Sequence, residues 1–297
     1  MRNYKELINT FSSSIADYVK TNNLKSVVIG LSGGLDSTVC VALCKIAKTM
    51  LQKRGSDVKI IGASLPTNTN LQSEENTARE CGKFCDMFIE TEIQTMYNCV
   101  LGGCEAYQGV ESTPISRGNI KARLRMIFLY NLASLHKGIV IDTDNLTECF
   151  LGFWTIHGDE GDFNPIGSLW KTEVYELAKE LIHYFDSSYY YEDKEVYMKC
   201  LQSSIDATPT DGNGVMDGGD LAQIAPGHTY NDVDDILVSY LVDERTKDLL
   251  CDKYGEDTVN KVIQRHKSSS FKRKHRPFVI ALNGDVISKD EASNSAI

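Results

Sequence analysis

The sequence has no apolar run of membrane-spanning length, and its opening residues, MRNYKELINTF, hold no apolar signal core. Both absences point to a cytoplasmic protein that neither crosses nor binds a membrane. Positive charge is also scarce: 31 Lys and Arg against 41 Asp and Glu leave a net charge of −10. That balance speaks against a sequence-independent grip on nucleic acid. No C-x-x-C pair occurs among the nine cysteines. Cys40/Cys44 and Cys81/Cys85 are spaced i,i+4, which is not the usual zinc spacing, and read as reduced thiols packed in helix cores. No internal repeat and no long linker interrupts the chain. Its 297 residues, 42% hydrophobic and 24% charged, suit one domain over 1–297 with a sizeable core. Only the segment from about 268 onward, rich in Ser, Lys and Arg and then acidic, reads as a flexible tail.

What is present is concentrated in Val27 to Ser37, VVIGLSGGLDS. The apolar run Val27–Ile29 with Leu31 predicts a buried strand, and from Thr38 to Ala47 apolar residues recur at helical spacing. Between them lies a glycine turn. A helix N-terminus offers unpaired N–H groups and the positive end of the macrodipole, and glycines let a phosphate approach the backbone. Ser32 and Ser37 add hydroxyls. Asp36 would repel phosphate unless a cation stands between them, which suggests Mg²⁺. The loop has no Lys and does not fit G-x-x-x-x-G-K-[ST]. The five fixed positions of SGGxDS arise by chance at roughly one in 10⁶ per site.

The remaining pattern alternates. Residues 3–21 predict an amphipathic helix, 58–65 a second strand, 73–87 a helix capped by Ser73, and Met87–Thr91 a third strand. Ile93 to Ser116 is less regular. Asn119 to Leu135 predicts a long helix ended by Gly138, and Gly138–Ile141 a further strand running into Asp142-Thr143-Asp144-Asn145. Alternating strands and helices imply an α/β fold: a doubly wound parallel sheet flanked by helices, with ligands at the carboxyl ends of the strands.

The SGGxDS loop resembles the pyrophosphate loop of the N-type ATP pyrophosphatases, whose fold is adenine nucleotide alpha-hydrolase-like. Further stretches follow in order: GNIKARLRM (118–126), DTDNLTE (142–148), GFWT (152–155), HGDEGDFNPI (157–166) and LWKTEV (169–174). In this register the chain resembles ammonia-dependent NAD⁺ synthetase. The resemblance implies a ligase that uses ATP as co-substrate to adenylate the nicotinate carboxylate of deamido-NAD, after which ammonia displaces AMP. It also implies a homodimer, and an ammonia supply without a glutaminase domain. Rival readings are a GMP-synthetase-like amidase and a catalytically silent nucleotide-binding homologue.

Site residues carry over position by position. Gly30, Leu31, Ser32, Gly33, Gly34, Leu35, Asp36 and Ser37 would hold the ATP phosphates, with Thr143, Lys171 and Thr210 as further ATP contacts. Asp36 and Glu148 would ligand Mg²⁺. Asp36, Lys171 and Asp159 would be catalytic, Asp159 by positioning ammonium. Arg123, Asp162, His266, Lys267 and Tyr18 would meet the dinucleotide. Departures from the family pattern are Ile156 where a Lys usually follows the Thr of G-F-x-T, a loop from His157 to Phe163 one residue shorter, and a longer segment from Leu181 to Ala207 with Tyr189-Tyr190-Tyr191.

Overall fold

The computed structural model describes residues 2–109, 111–208, 219–273, 278–280 and 286–288. In chain order, α1 (Tyr4–Thr21) precedes β1 (Ser26–Gly30), and α2 (Leu35–Lys53) leads to β2 (Lys59–Ser64). Then come α3 (Gln72–Cys81), β3 (Met87–Glu90), α4 (Gln94–Gln108), α5 (Pro114–Leu135) and β4 (Gly138–Ile141). The remainder is helical: α6 (Leu146–Leu151), α7 (Lys171–Asp186), α8 (Lys194–Asp206), α9 (Gly219–Ile224), α10 (Tyr230–Val242), α11 (Lys247–Tyr254) and α12 (Glu256–Ser268). A short antiparallel pair, β5 (Phe278–Ile280) and β6 (Val286–Ser288), follows.

The four main strands are parallel in the order β3-β2-β1-β4. Side chains on a strand alternate between faces, and both faces here are covered. Val27 and Ile29 join α1, α2 and α7 in the largest core cluster, while Val28 packs with Ile61, Val140 and Ala133 of α5. Burying each such side chain stabilises the fold by about 1.5–3 kcal/mol. The sheet is therefore doubly wound, as the alternation predicts. A smaller core joins Leu151 of α6 to α9, α10, α11 and α12.

Local differences from the expected elements have physical causes. α2 starts at Leu35, inside the loop, so Asp36 and Ser37 stand on its first turn. α3 is capped at Leu71 rather than Ser73, because Glu74 reaches back to accept from the Leu71 N–H at 3.1 Å. It stops at Cys81 and passes into a 3₁₀ turn, Gly82–Phe84. The irregular stretch contains α4, held by Ile93, Met96, Tyr97 and Leu101 against α5. Gly102 and Gly103 face open space and do not stop it.

Much of the long segment 181–207 packs into the main core, while Tyr189 and Tyr190 stay exposed. It completes α7 and forms α8, with Tyr191 and Tyr197 packed edge-on against Phe185. Cys40, Cys44, Cys81 and Cys200 are buried free thiols. Cys81 faces Cys200 of α8 at 2.6 Å, whereas Cys85, four residues on, lies beyond the end of α3.

Candidate active site

A cavity of about 710 Å³ opens at the carboxyl ends of β1, β2 and β4. The loop from Gly30 to Ser37 forms its floor. Gly33 adopts φ +83°, a conformation natural to glycine, and brings the loop against the backbone of α3. Gly34 caps α2 with no side-chain acceptor. The Gly34 N–H donates to Ser32 Oγ at 3.2 Å, and Ser37 Oγ donates to the Gly34 carbonyl at 3.0 Å, so the turn is braced from within. Behind it, the Thr38 hydroxyl bonds Ser204 of α8 at 2.8 Å. Ser204, Ala207 and Thr208 line the cavity, so the inserted segment reaches the site.

Opposite the loop, α7 begins with Lys171, whose ammonium pairs with Asp36 and is only 6% exposed. Burial works against this charge, but Asp36, with Glu148 and Tyr230, outweighs it and holds the Lys171 pKa above its ordinary value. Asn145 donates to the other oxygen of Asp36 at 3.0 Å and caps α6, where Glu148 completes a capping box. Thr143, read as an ATP contact, lines the cavity beside Asp144 and Glu148. Burial, then the neighbouring Asp142 and Asp159, pushes Asp144 well above the usual carboxylate range.

Asp159 lines the same wall and accepts from the Thr155 N–H. Burial raises its pKa to about 6 despite those backbone donors. A carboxyl whose folded pKa is raised costs stability once pH passes its unfolded value, with the full cost above the folded one. Asp159→Asn is therefore expected to stabilise the protein above pH 6 and to give no such gain below about pH 4. Denaturant titrations at pH 4, 5.5 and 7.5 measure this; equal stability changes at all three refute it.

The expected dinucleotide residues are dispersed. Arg123 donates to the Ile156 carbonyl at 3.2 Å on the exposed side of α5. Asp162 accepts from the Val140 N–H at 2.9 Å and from Tyr130 Oη at 3.0 Å, fixing its loop to β4. Tyr18 packs on Phe163, ring centroids 4.9 Å apart. None of these three lines the cavity, although Tyr130 does. His266 contacts the Phe150 carbonyl through Nδ1 at 3.1 Å, and the Lys267 ammonium lies over the Tyr240 ring; both are outside the cavity lining. Thr210 lies outside the described residues.

Two cations of the basic cluster Arg265 to Arg276, which the sequence offers as a solvated segment or a lid over dinucleotide phosphates without singling out either residue, line the cavity: Arg265 and Lys272. The segment after α12, read as the start of a tail, forms a 3₁₀ turn over Ser270–Arg273 that packs on α6. From it Lys272 enters the cavity wall and donates to the carbonyls of Trp154 and, at 2.7 Å, Gly152. Burial lowers its pKa. Arg265 donates to the Leu151 carbonyl at 2.8 Å and stacks over Phe153. The basic run RHKSSSFKRKHR gave no signal for which cation turns inward.

A parallel doubly wound sheet with an SGGxDS turn at its carboxyl edge, facing a buried lysine and converging carboxylates, defines an enzyme of the adenine nucleotide alpha-hydrolase-like fold. Comparison narrows the class: the NAD synthase family model matches residues 7–276, and the chain belongs to that family. It is 29% identical over 280 residues to an NH(3)-dependent NAD(+) synthetase of Wolinella succinogenes, covering 93% of this chain and 96% of that one. A Campylobacter jejuni protein of the same name is 34% identical over 180 residues, 60% of this chain and 68% of its own. Among solved structures, an NMN synthetase from Francisella tularensis superposes with TM-score 0.71 at 26% identity, covering 93% of this chain and 98% of its own. The NH3-dependent NAD synthetase of C. jejuni gives TM-score 0.67 at 24% identity, covering 94% and 100%.

Proposed function

We propose that this chain is a C–N-bond-forming ligase that amidates deamido-NAD with ammonia at the expense of ATP. The observation that carries this reading is the convergence, in one cavity, of the glycine turn, the Lys171–Asp36 pair, Glu148 and Asp159. A carboxylate oxygen attacks the α-phosphorus and pyrophosphate leaves; ammonia then attacks the acyl carbon, AMP leaves and nitrogen loses a proton. The loop amides and Lys171 hold the phosphates and offset the repulsion between two polyanionic substrates. Asp159, with a pKa of about 6, exchanges a proton near neutrality and is placed to hold ammonium or take up that proton. Lys272 and Arg265 add positive charge for the dinucleotide to the residues named by resemblance: Arg123, Asp162, Tyr18, His266 and Lys267.

Asp36 and Glu148 suit Mg²⁺. The described residues contain no cluster of three or more ligating side chains, and Mg²⁺ is characteristically held by one or two carboxylates together with substrate phosphates. When bound, it would neutralise charge on the leaving pyrophosphate. A homodimer is consistent with the exposed Ile115, Ile127 and Leu135 along α5.

Incubation with Mg²⁺, ATP, ammonium and deamido-NAD is expected to give AMP and NAD⁺ in equal amounts. ADP in place of AMP removes the assignment. AMP formed only with xanthosine monophosphate favours the rival amidase, and faster turnover of nicotinic acid mononucleotide moves the substrate to the mononucleotide.

A further inference from the structure

α10 carries an aspartate where its apolar stripe calls for a hydrophobe. Asp234 stands between Val233 and Ile236, is 5% exposed, and belongs to none of the groups assigned above. Its two oxygens are committed to separate elements. Oδ1 accepts from Thr147 Oγ1 at 2.5 Å, near the start of α6, and Oδ2 accepts from the Thr172 N–H at 3.0 Å, in the first turn of α7. Thr147 in turn accepts the Lys171 N–H at 2.9 Å. The residue capping α7, Trp170, has no side-chain acceptor for that turn, so Asp234 supplies it from another helix. A carboxylate there is favoured by the helix dipole, which opposes Lys171 in the same turn.

We propose that Asp234 is a positioning residue: through Thr147 and the Thr172 amide it locks the start of α7 against the start of α6, and so aims Lys171 at Asp36 and the phosphate loop. This deepens the reading of Lys171 as a phosphate-binding cation and rests on it. The buried carboxylate is anchored to backbone and hydroxyl donors that each carry a site residue: Lys171 adjoins Thr172, and Glu148 adjoins Thr147. A rotation at that joint moves both.

The test is kinetic, on the full chain, and begins by showing that the wild type forms NAD⁺; without that, the functional reading fails first and separately. Asp234→Ala leaves two donors unpaired, and kcat/KM for ATP is expected to fall about 30-fold while KM for deamido-NAD stays within about twofold. Asp234→Asn keeps an amide oxygen for the Thr172 N–H and is expected to recover activity to within about fivefold of wild type. Thr147→Val, which removes the intermediary hydroxyl, should not add to Asp234→Ala by more than about twofold, because both break one chain of contacts. Wild-type kinetics in Asp234→Ala, fully additive losses in the double variant, or a fall confined to the folded fraction measured by unfolding at assay temperature would overturn the proposal.

Discussion

Replacing Lys171 by methionine is expected to lower kcat/KM by about a thousandfold, the range seen when a preorganised charge-stabilising donor is removed. Methionine keeps the length and apolar stem, so the change isolates the charge. That charge sits in an unfavourable place for stability alone: buried, and in the first turn of α7, where the dipole repels cations. Asp36, Glu148 and Tyr230 hold it protonated across the working pH range. Without it, Asp36 and Glu148 face the triphosphate with one fewer compensating charge, so KM for ATP rises as kcat falls. Initial rates against ATP, with unfolding curves as control, measure both. A variant within tenfold of wild type would show that Lys171 serves the Asp36 pair and not the reaction.

The loop and its strand were legible because glycine, serine and aspartate at fixed offsets have few other uses between an apolar run and a helix. β1 to β4 followed from short apolar runs that end in polar residues. α4 was not legible: Gly102 and Gly103 suggest a break, yet both face solvent, and Ile93 and Tyr97 bury enough surface to hold the helix. Lys272 was hidden for a different reason. In a run of cations, periodicity does not distinguish the side chain that turns inward from those that stay hydrated. The resemblance placed weight on His266–Lys267, whereas the inward turn comes five residues later, after α12 ends at Ser268. Asp234 did carry a signal, a charge inside the apolar stripe of α10, but its partners lie 62 and 87 residues away in sequence. Tertiary pairing of that kind leaves no mark in local spacing.

Gly33→Ala is expected to lower kcat/KM for ATP at least about 100-fold, equivalent to about 3 kcal/mol. Strain and steric overlap combine. At φ +83° an L-residue is strained, by about 1–2 kcal/mol for an alanine. The overlap costs more: the new Cβ would stand 2.1 Å from the Glu74 carbonyl oxygen, which is backbone in the first turn of α3 and cannot swing aside like a side chain. Either α3 shifts or the turn unwinds, and unwinding removes the amides proposed to hold the phosphates. Gly55→Ala separates the two effects, since Gly55 has φ +72° with nothing within 4 Å of its Cβ position. It should cost about 1–2 kcal/mol of stability from strain alone and leave the kinetics unchanged. If Gly33→Ala also behaves like Gly55→Ala, with stability lost and ATP turnover intact, the close packing of this turn on α3 is not what shapes the phosphate site.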